Sequence, residues 1–297
     1  MMKFGRRGVP AYLASLLAMM MGWWSSYAHA ADPLSVFVSI LPQKYFVERI
    51  GGNRVQVLVM VGPGQSPETY EPTPRQMVKL SQANLYFRIG VPFENIWLKR
   101  IIAANPNMEV VDCREGISLL STGEAHGTGG EDEGHGATDP HLWTSPVLVK
   151  KMAVHIRNAL AAVDPAYSHQ FEANYQAFVQ ELEQLDRFIR QTLAEVTHHR
   201  FMVFHPAWRY FAHAYGLEEI AIEQAGKEPG AKSLAALIEW GRREGVRAIF
   251  VQKQSSRASA EVVARAIGAE IITLDPLAED YVNNLRYVAT VLARVLR

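Results

Sequence analysis

Short apolar, β-branched runs alternate along most of this chain with segments whose apolar residues recur every three or four positions. The first kind reads as strands and the second as helices. Residues 34–41, 55–61, 85–89 and 109–111 are predicted strands, with Pro42 closing the first and Gly62-Pro63-Gly64 the second. Between them the pattern predicts helices over 44–50, 74–82 and 93–104. Gly51-Gly52 stops the first of these, and Pro74 opens the second, where a residue without an N–H loses nothing. Strands at 201–204, 219–222, 248–251 and 270–274 repeat the rhythm later, with helices at 207–215, 233–244, 258–267 and 281–296.

Two long helical stretches separate these halves. Residues 146–163 have apolar positions at helical spacing, and Asp164-Pro165 marks a break. From 167 to 196 the residues Phe171, Tyr175, Phe178, Leu182, Leu185, Phe188, Ile189 and Leu193 form one stripe. Roughly thirty residues at about 1.5 Å each make a rod of about 45 Å, long enough to span two lobes. The predicted fold is α/β. Two βα lobes with mainly parallel sheets are joined by one long rigid backbone helix, and ligand lies in the interlobe cleft beyond the carboxyl ends of the strands. The predicted boundaries are 1–30, 31–163, 164–199 and 200–297: leader, first lobe, linking helix and second lobe.

Charge and composition narrow the picture. Lys3, Arg6 and Arg7 precede an apolar run over 11–24, and Ala28-His29-Ala30 follows as a small-x-small cleavage site. That is the pattern of a secretory signal peptide. The chain carries 30 basic and 30 acidic residues. Loss of three cations and no acid leaves the mature chain slightly negative, which gives no electrostatic reason for a nucleic-acid partner. The only cysteine, Cys113, stands far from the cleavage site. The expectation is therefore a periplasmic protein with neither disulfide nor lipid anchor. Residues 121–137 hold two histidines, four acids and many glycines but no apolar face, and are predicted to form a mobile loop.

The candidate chemistry lies in four loops where a metal-type side chain adjoins a proline: Pro67-Glu68, Pro140-His141, His205-Pro206 and Asp275-Pro276. Proline fixes φ and stiffens each loop. Two imidazoles with two carboxylates would satisfy and neutralise one divalent cation. Glu68, His205 and Asp275 follow predicted strands, and His141 precedes the helix at 146, so two donors come from each half. Glu223 and Glu228 flank another loop after a second-half strand and are further candidates to line the cleft.

The stretches Ser66-Pro-Glu-Thr-Tyr-Glu-Pro-Thr-Pro74, Asp139-Pro-His-Leu-Trp143, Phe204-His-Pro-Ala-Trp208 with Tyr215-Gly-Leu217, and Leu274-Asp-Pro-Leu277 carry a resemblance. The chain resembles the metal-binding solute-binding proteins of bacterial ABC importers, the ZnuA/TroA-like group, over essentially its whole mature length. The resemblance implies one divalent metal held between two lobes and delivered to an inner-membrane ABC permease. His141, His205 and Asp275 match three of the group's ligand positions. The first position departs, since zinc and manganese members usually have histidine where this chain has Glu68. Glutamate there is a direct ligand, an acceptor for a ligand histidine, or a surface acid. Zinc is the expected metal, with manganese or iron(II) as alternatives that the harder donor set favours.

Two other classes compete with a monomeric, non-enzymatic carrier. A zinc-dependent hydrolase would use Glu68 as general base, but no His-Glu-x-x-His element or nucleophile elbow is present. A carrier of organic chelates would need a wide aromatic cleft. For the metal carrier, affinity should fall as pH drops and the histidines protonate.

Overall fold

The computed structural model describes residue 2 and residues 32–122, 138–223, 229–254 and 258–297. Contacts divide the chain into Met1–Asp32 and Pro33–Arg297, and the architecture is that of the second unit. The predicted leader apart from Met2, nearly all of the acidic insertion, and Glu228 lie outside the described residues.

The first sheet is built from β1 (Leu34–Ile40), β2 (Val55–Val61), β3 (Leu85–Arg88) and β4 (Glu109–Asp112), in the order β2-β1-β3-β4. All its pairings are parallel, with Leu34 opposite Val55, Val38 opposite Phe87 and Phe87 opposite Val111. Parallel neighbours need crossovers, and these are α1 (Leu41–Gly51), α2 (Pro74–Leu80) and α3 (Pro92–Ala104). Two helices follow, α4 (Pro146–Val163) and α5 (Ser168–Leu193). The second sheet repeats the arrangement with β5 (Arg200–Val203), β6 (Glu218–Ala221), β7 (Ala248–Val251) and β8 (Glu270–Thr273), in the order β6-β5-β7-β8 and again all parallel. Its helices are α6 (Arg209–Ala214), α7 (Ala231–Arg243), α8 (Ala258–Ile267) and α9 (Tyr281–Val295).

The pattern-based elements agree with these bounds to within a few residues, and one local expectation is corrected. Pro42 does not end a strand; it sits in the first turn of α1, which already begins at Leu41. Its missing N–H is one that the first helical turn leaves unpaired anyway. The junction is closed by Gln43, whose side-chain oxygen accepts the N–H of Ser39 at 3.1 Å.

The 26-residue α5 extends about 39 Å. It buries Phe171, Phe178, Leu182, Leu185, Ile189 and Leu193, the stripe that the spacing predicts. That stripe packs on α1 and α4 at one end and on α9 at the other, so one apolar core runs from the first sheet to the second. Tyr175 and Phe188, at the edges of the stripe, are half-buried under the guanidinium groups of Arg157 and Arg286. The halves are also tied directly. Phe46 meets Tyr281 edge-on at 4.9 Å, and the Trp143 indole N–H donates to the Pro276 carbonyl at 2.7 Å. Among the described residues no helix is long and apolar enough to cross a membrane. Cys113 is fully buried, and burial pushes its thiol far above the usual range, which suits a packing role.

Candidate metal centre

Glu68 lies on the loop between β2 and α2, and its position is set from both sides. Its own N–H donates to Ser66 Oγ at 3.3 Å, and the preceding Pro67 carbonyl accepts the N–H of Phe93 at 3.2 Å. Tyr70 stacks edge-on against Phe93 and donates to Gln76, which in turn donates to the carbonyl of Met60 at 2.8 Å. The loop is thereby fastened to the end of β2.

His141 ends a short segment entering the turn Leu142–Thr144. Asp139 Oδ1 accepts the His141 backbone N–H at 2.8 Å and faces its Nδ1 at 2.8 Å. Asp139 is buried, which favours the neutral acid. The hydrogen bonds and charge of His141, with Arg209 nearby, outweigh this and hold the carboxyl below its ordinary value. A carboxylate only accepts, so Nδ1 carries the proton and Nε2 is left with its lone pair for a cation.

His205 follows β5 directly and is about one-tenth exposed. Its Nδ1 faces Glu223 Oε2 at 2.9 Å and its Nε2 faces Glu68 Oε1 at 2.7 Å. Burial lowers the imidazole pKa, but the two carboxylates outweigh it and raise the group to about 10. Glu68 responds in the opposite sense. Burial raises it, while the hydrogen bond from His205 and the charges of both histidines leave it lowered overall.

Ligand atoms of Glu68, His141 and His205 all lie within 4.8 Å of one another, and the two imidazole rings are 5.5 Å apart, edge to face. A donor set of two imidazoles and one carboxylate, each imidazole braced by a further carboxylate, suits zinc and leaves a fourth position open. Asp275 is not part of this three-residue group. It sits just beyond β8, where its Oδ1 accepts the N–H of Leu277 at 2.9 Å and its Oδ2 lies 3.4 Å from Lys253 Nζ.

Of the carboxylates behind the histidines, Glu223 was a candidate from its place after a strand, whereas Asp139 was missed. Asp139 stands two residues before His141, within reach of its ring; Glu223 lies just past β6, at the same sheet edge as His205. Lys253, just past β7, obeys the same carboxyl-edge rule, which a search for metal donors passes over.

A further buried acid supports the His205 turn. Glu219 on β6 accepts the N–H of Trp208 with Oε2, while Oε1 has no partner among the described residues. Burial foremost, reinforced by the charge of Asp139, pushes Glu219 up to about 8 from 4.5. The folded form thus holds a proton that the unfolded chain gives up. The stability this proton contributes is complete below about pH 4.5 and is lost as pH rises through about 8. Glu219→Gln supplies a neutral amide at the same place. It should raise the melting temperature at pH 8 by about 5–10 °C, at about 2–4 °C per kcal/mol, and have little effect near pH 5. A melting difference that stays the same across this range would contradict the assignment.

Two α/β halves with a histidine and carboxylate cluster between their sheets define a metal-binding solute-binding protein. The chain belongs to the family described as "Zinc-uptake complex component A periplasmic", whose model matches residues 36–295. It is 29% identical over 272 residues to the "Zinc-binding lipoprotein AdcA" of Streptococcus pneumoniae, a match covering 89% of this chain but 54% of that protein. The chain therefore spans about half the length of that relative. Among solved structures it is similar to ZnuA, at 42% identity and a TM-score of 0.83, over 90% of this chain and 100% of the other. A zinc-bound deletion mutant of ZnuA gives 42% identity and a TM-score of 0.82, over 89% of this chain and 98% of the other.

These relatives correct one expectation. The absence of a cysteine at the predicted cleavage site suggested a periplasmic protein free of a lipid anchor. A relative matching 89% of this chain is named a lipoprotein, so that expectation does not stand.

Proposed function

We propose that this protein is a non-catalytic carrier that captures one divalent transition metal, zinc favoured, and delivers it to the membrane permease of an ABC importer. In this reading Glu68, His141 and His205 are the primary ligands, and Asp275, a second carboxylate, is the fourth candidate ligand. Residues 31–163 and 200–297 act as the two lobes, with 164–199 as the connector. The chain works as a monomer and without nucleic acid. The observation that carries the reading is the convergence of three ligand atoms from both halves within 4.8 Å. The names of the relatives support zinc, and nothing in them favours a hydrolase.

Manganese or iron(II) is the second reading, favoured by the glutamate at position 68 and the oxygen donor at Asp275. The lobes are cross-tied by Trp143 to Pro276 and by Phe46 to Tyr281, so uptake should involve small rotations of packed halves rather than wide hinge closure. Titration calorimetry of the purified chain, with zinc and with manganese in separate runs, is the direct test. One-to-one uptake with zinc the tighter is expected, and no uptake of any divalent metal would defeat the proposal.

A further inference from the structure

Asp275 and Lys253 occupy adjacent positions on one sheet edge. β7 and β8 pair in parallel with Val251 opposite Thr273, and each chain then runs two residues further to Lys253 and to Asp275. The ammonium lies 3.4 Å from Asp275 Oδ2, while Leu277 N–H holds Oδ1 at 2.9 Å. The carboxylate is sheltered at 16% side-chain exposure and the lysine is not, at 66%. The Asp275 backbone is also fixed, since its carbonyl accepts Asn284 Nδ2 at 2.7 Å. A fixed acid is thus paired with a long, mobile cation that can leave.

We propose that Lys253 is a selectivity residue: by occupying the Asp275 carboxylate it favours zinc over manganese at the neighbouring cluster. The inference rests on the metal-carrier reading above. Zinc is content with four donors, so Glu68, His141, His205 and one water satisfy it while the Lys253–Asp275 pair stays intact. Manganese prefers more oxygen ligands and needs Asp275. It gains that carboxylate only by displacing the ammonium, which then stays close to a doubly charged ion. The pair therefore handicaps the metal that needs the fourth protein donor and leaves the other nearly untouched. Because the lysine is exposed, the handicap is modest, on the scale of a surface ion pair.

The experiment is calorimetric titration of the full chain with zinc alone and with manganese alone. It compares wild type, Lys253→Met, Lys253→Arg, Asp275→Asn, and Lys253→Met combined with Asp275→Asn. Lys253→Met should lower the manganese Kd about two- to fivefold while moving the zinc Kd less than about twofold. Lys253→Arg should keep the wild-type ratio of the two constants. In the Asp275→Asn background the lysine substitution should no longer change that ratio. An unchanged ratio, an equal shift for both metals, or a narrowing that survives Asp275→Asn overturns the inference and leaves the carrier reading intact. Failure of the wild type to take up either metal overturns both.

Discussion

Replacing His205 with alanine should weaken zinc binding by more than about 100-fold, the upper range for losing a group one shell further out. His205 is the second half's only contribution to the three-residue cluster. Its loss removes a proposed ligand and also separates Glu68 from Glu223, the two carboxylates that its ring nitrogens join at 2.7 and 2.9 Å. Glu68 sits on the exposed side of the cleft and would be left without the contact that directs it toward His141. Calorimetry gives the affinity directly, and thermal melting gives an independent reading. Zinc at about 100 times Kd should stabilise the wild type by about 2.7 kcal/mol, and the same zinc concentration should barely shift the variant. Glu223→Gln, which keeps the ring but weakens its acceptor, should fall between the two at about 10- to 100-fold. Zinc uptake by His205→Ala within tenfold of the wild type would remove His205 from the ligand set.

The contrast between these two variants reflects what could be read from the chain beforehand. Runs such as 55–61 and 248–251 are strands because β-branched and apolar residues fill them and glycine, proline or polar residues bound them, a local property. The stripe of α5 is equally local, since its period is carried by the residues themselves. His141 and His205 stood out because a proline adjoins each at the edge of an element. Pairings between distant segments leave no such trace. Neither the Lys253–Asp275 contact nor the Glu223–His205 contact has a period or a spacing rule, because each depends on the order in which strands lie in the sheet. Pro42 was misread for a related reason: a proline that ends one element and a proline that opens the next look alike until the next residue's hydrogen bonds are known.

The scaffold should prove as sensitive as the ligands at one position. Trp143→Ala is expected to destabilise the protein by about 3–5 kcal/mol, the usual range for truncating a buried aromatic. Trp143 is 1% exposed and lies in the turn after His141, with its ring centroid 5.1 Å from the imidazole. Its indole N–H reaches across to the carbonyl of Pro276, beside Asp275, so one side chain joins the segments carrying two predicted donors. Truncation therefore opens a cavity in the shared core and leaves the Pro276 carbonyl without its donor. A drop in melting temperature of about 10 °C follows, at about 2–4 °C per kcal/mol for a chain of this size. Trp143→Phe separates the two effects. It retains most of the apolar ring and loses only the donor, so its cost should be about 1 kcal/mol. If Trp143 holds the two halves in register for the metal, Trp143→Phe should lower zinc affinity by more than its small stability cost suggests, because the phenyl ring cannot bond the Pro276 loop. If the indole only fills space, Trp143→Phe should bind zinc as the wild type does, and a cost below about 1 kcal/mol for Trp143→Ala would show that the two halves do not depend on this link.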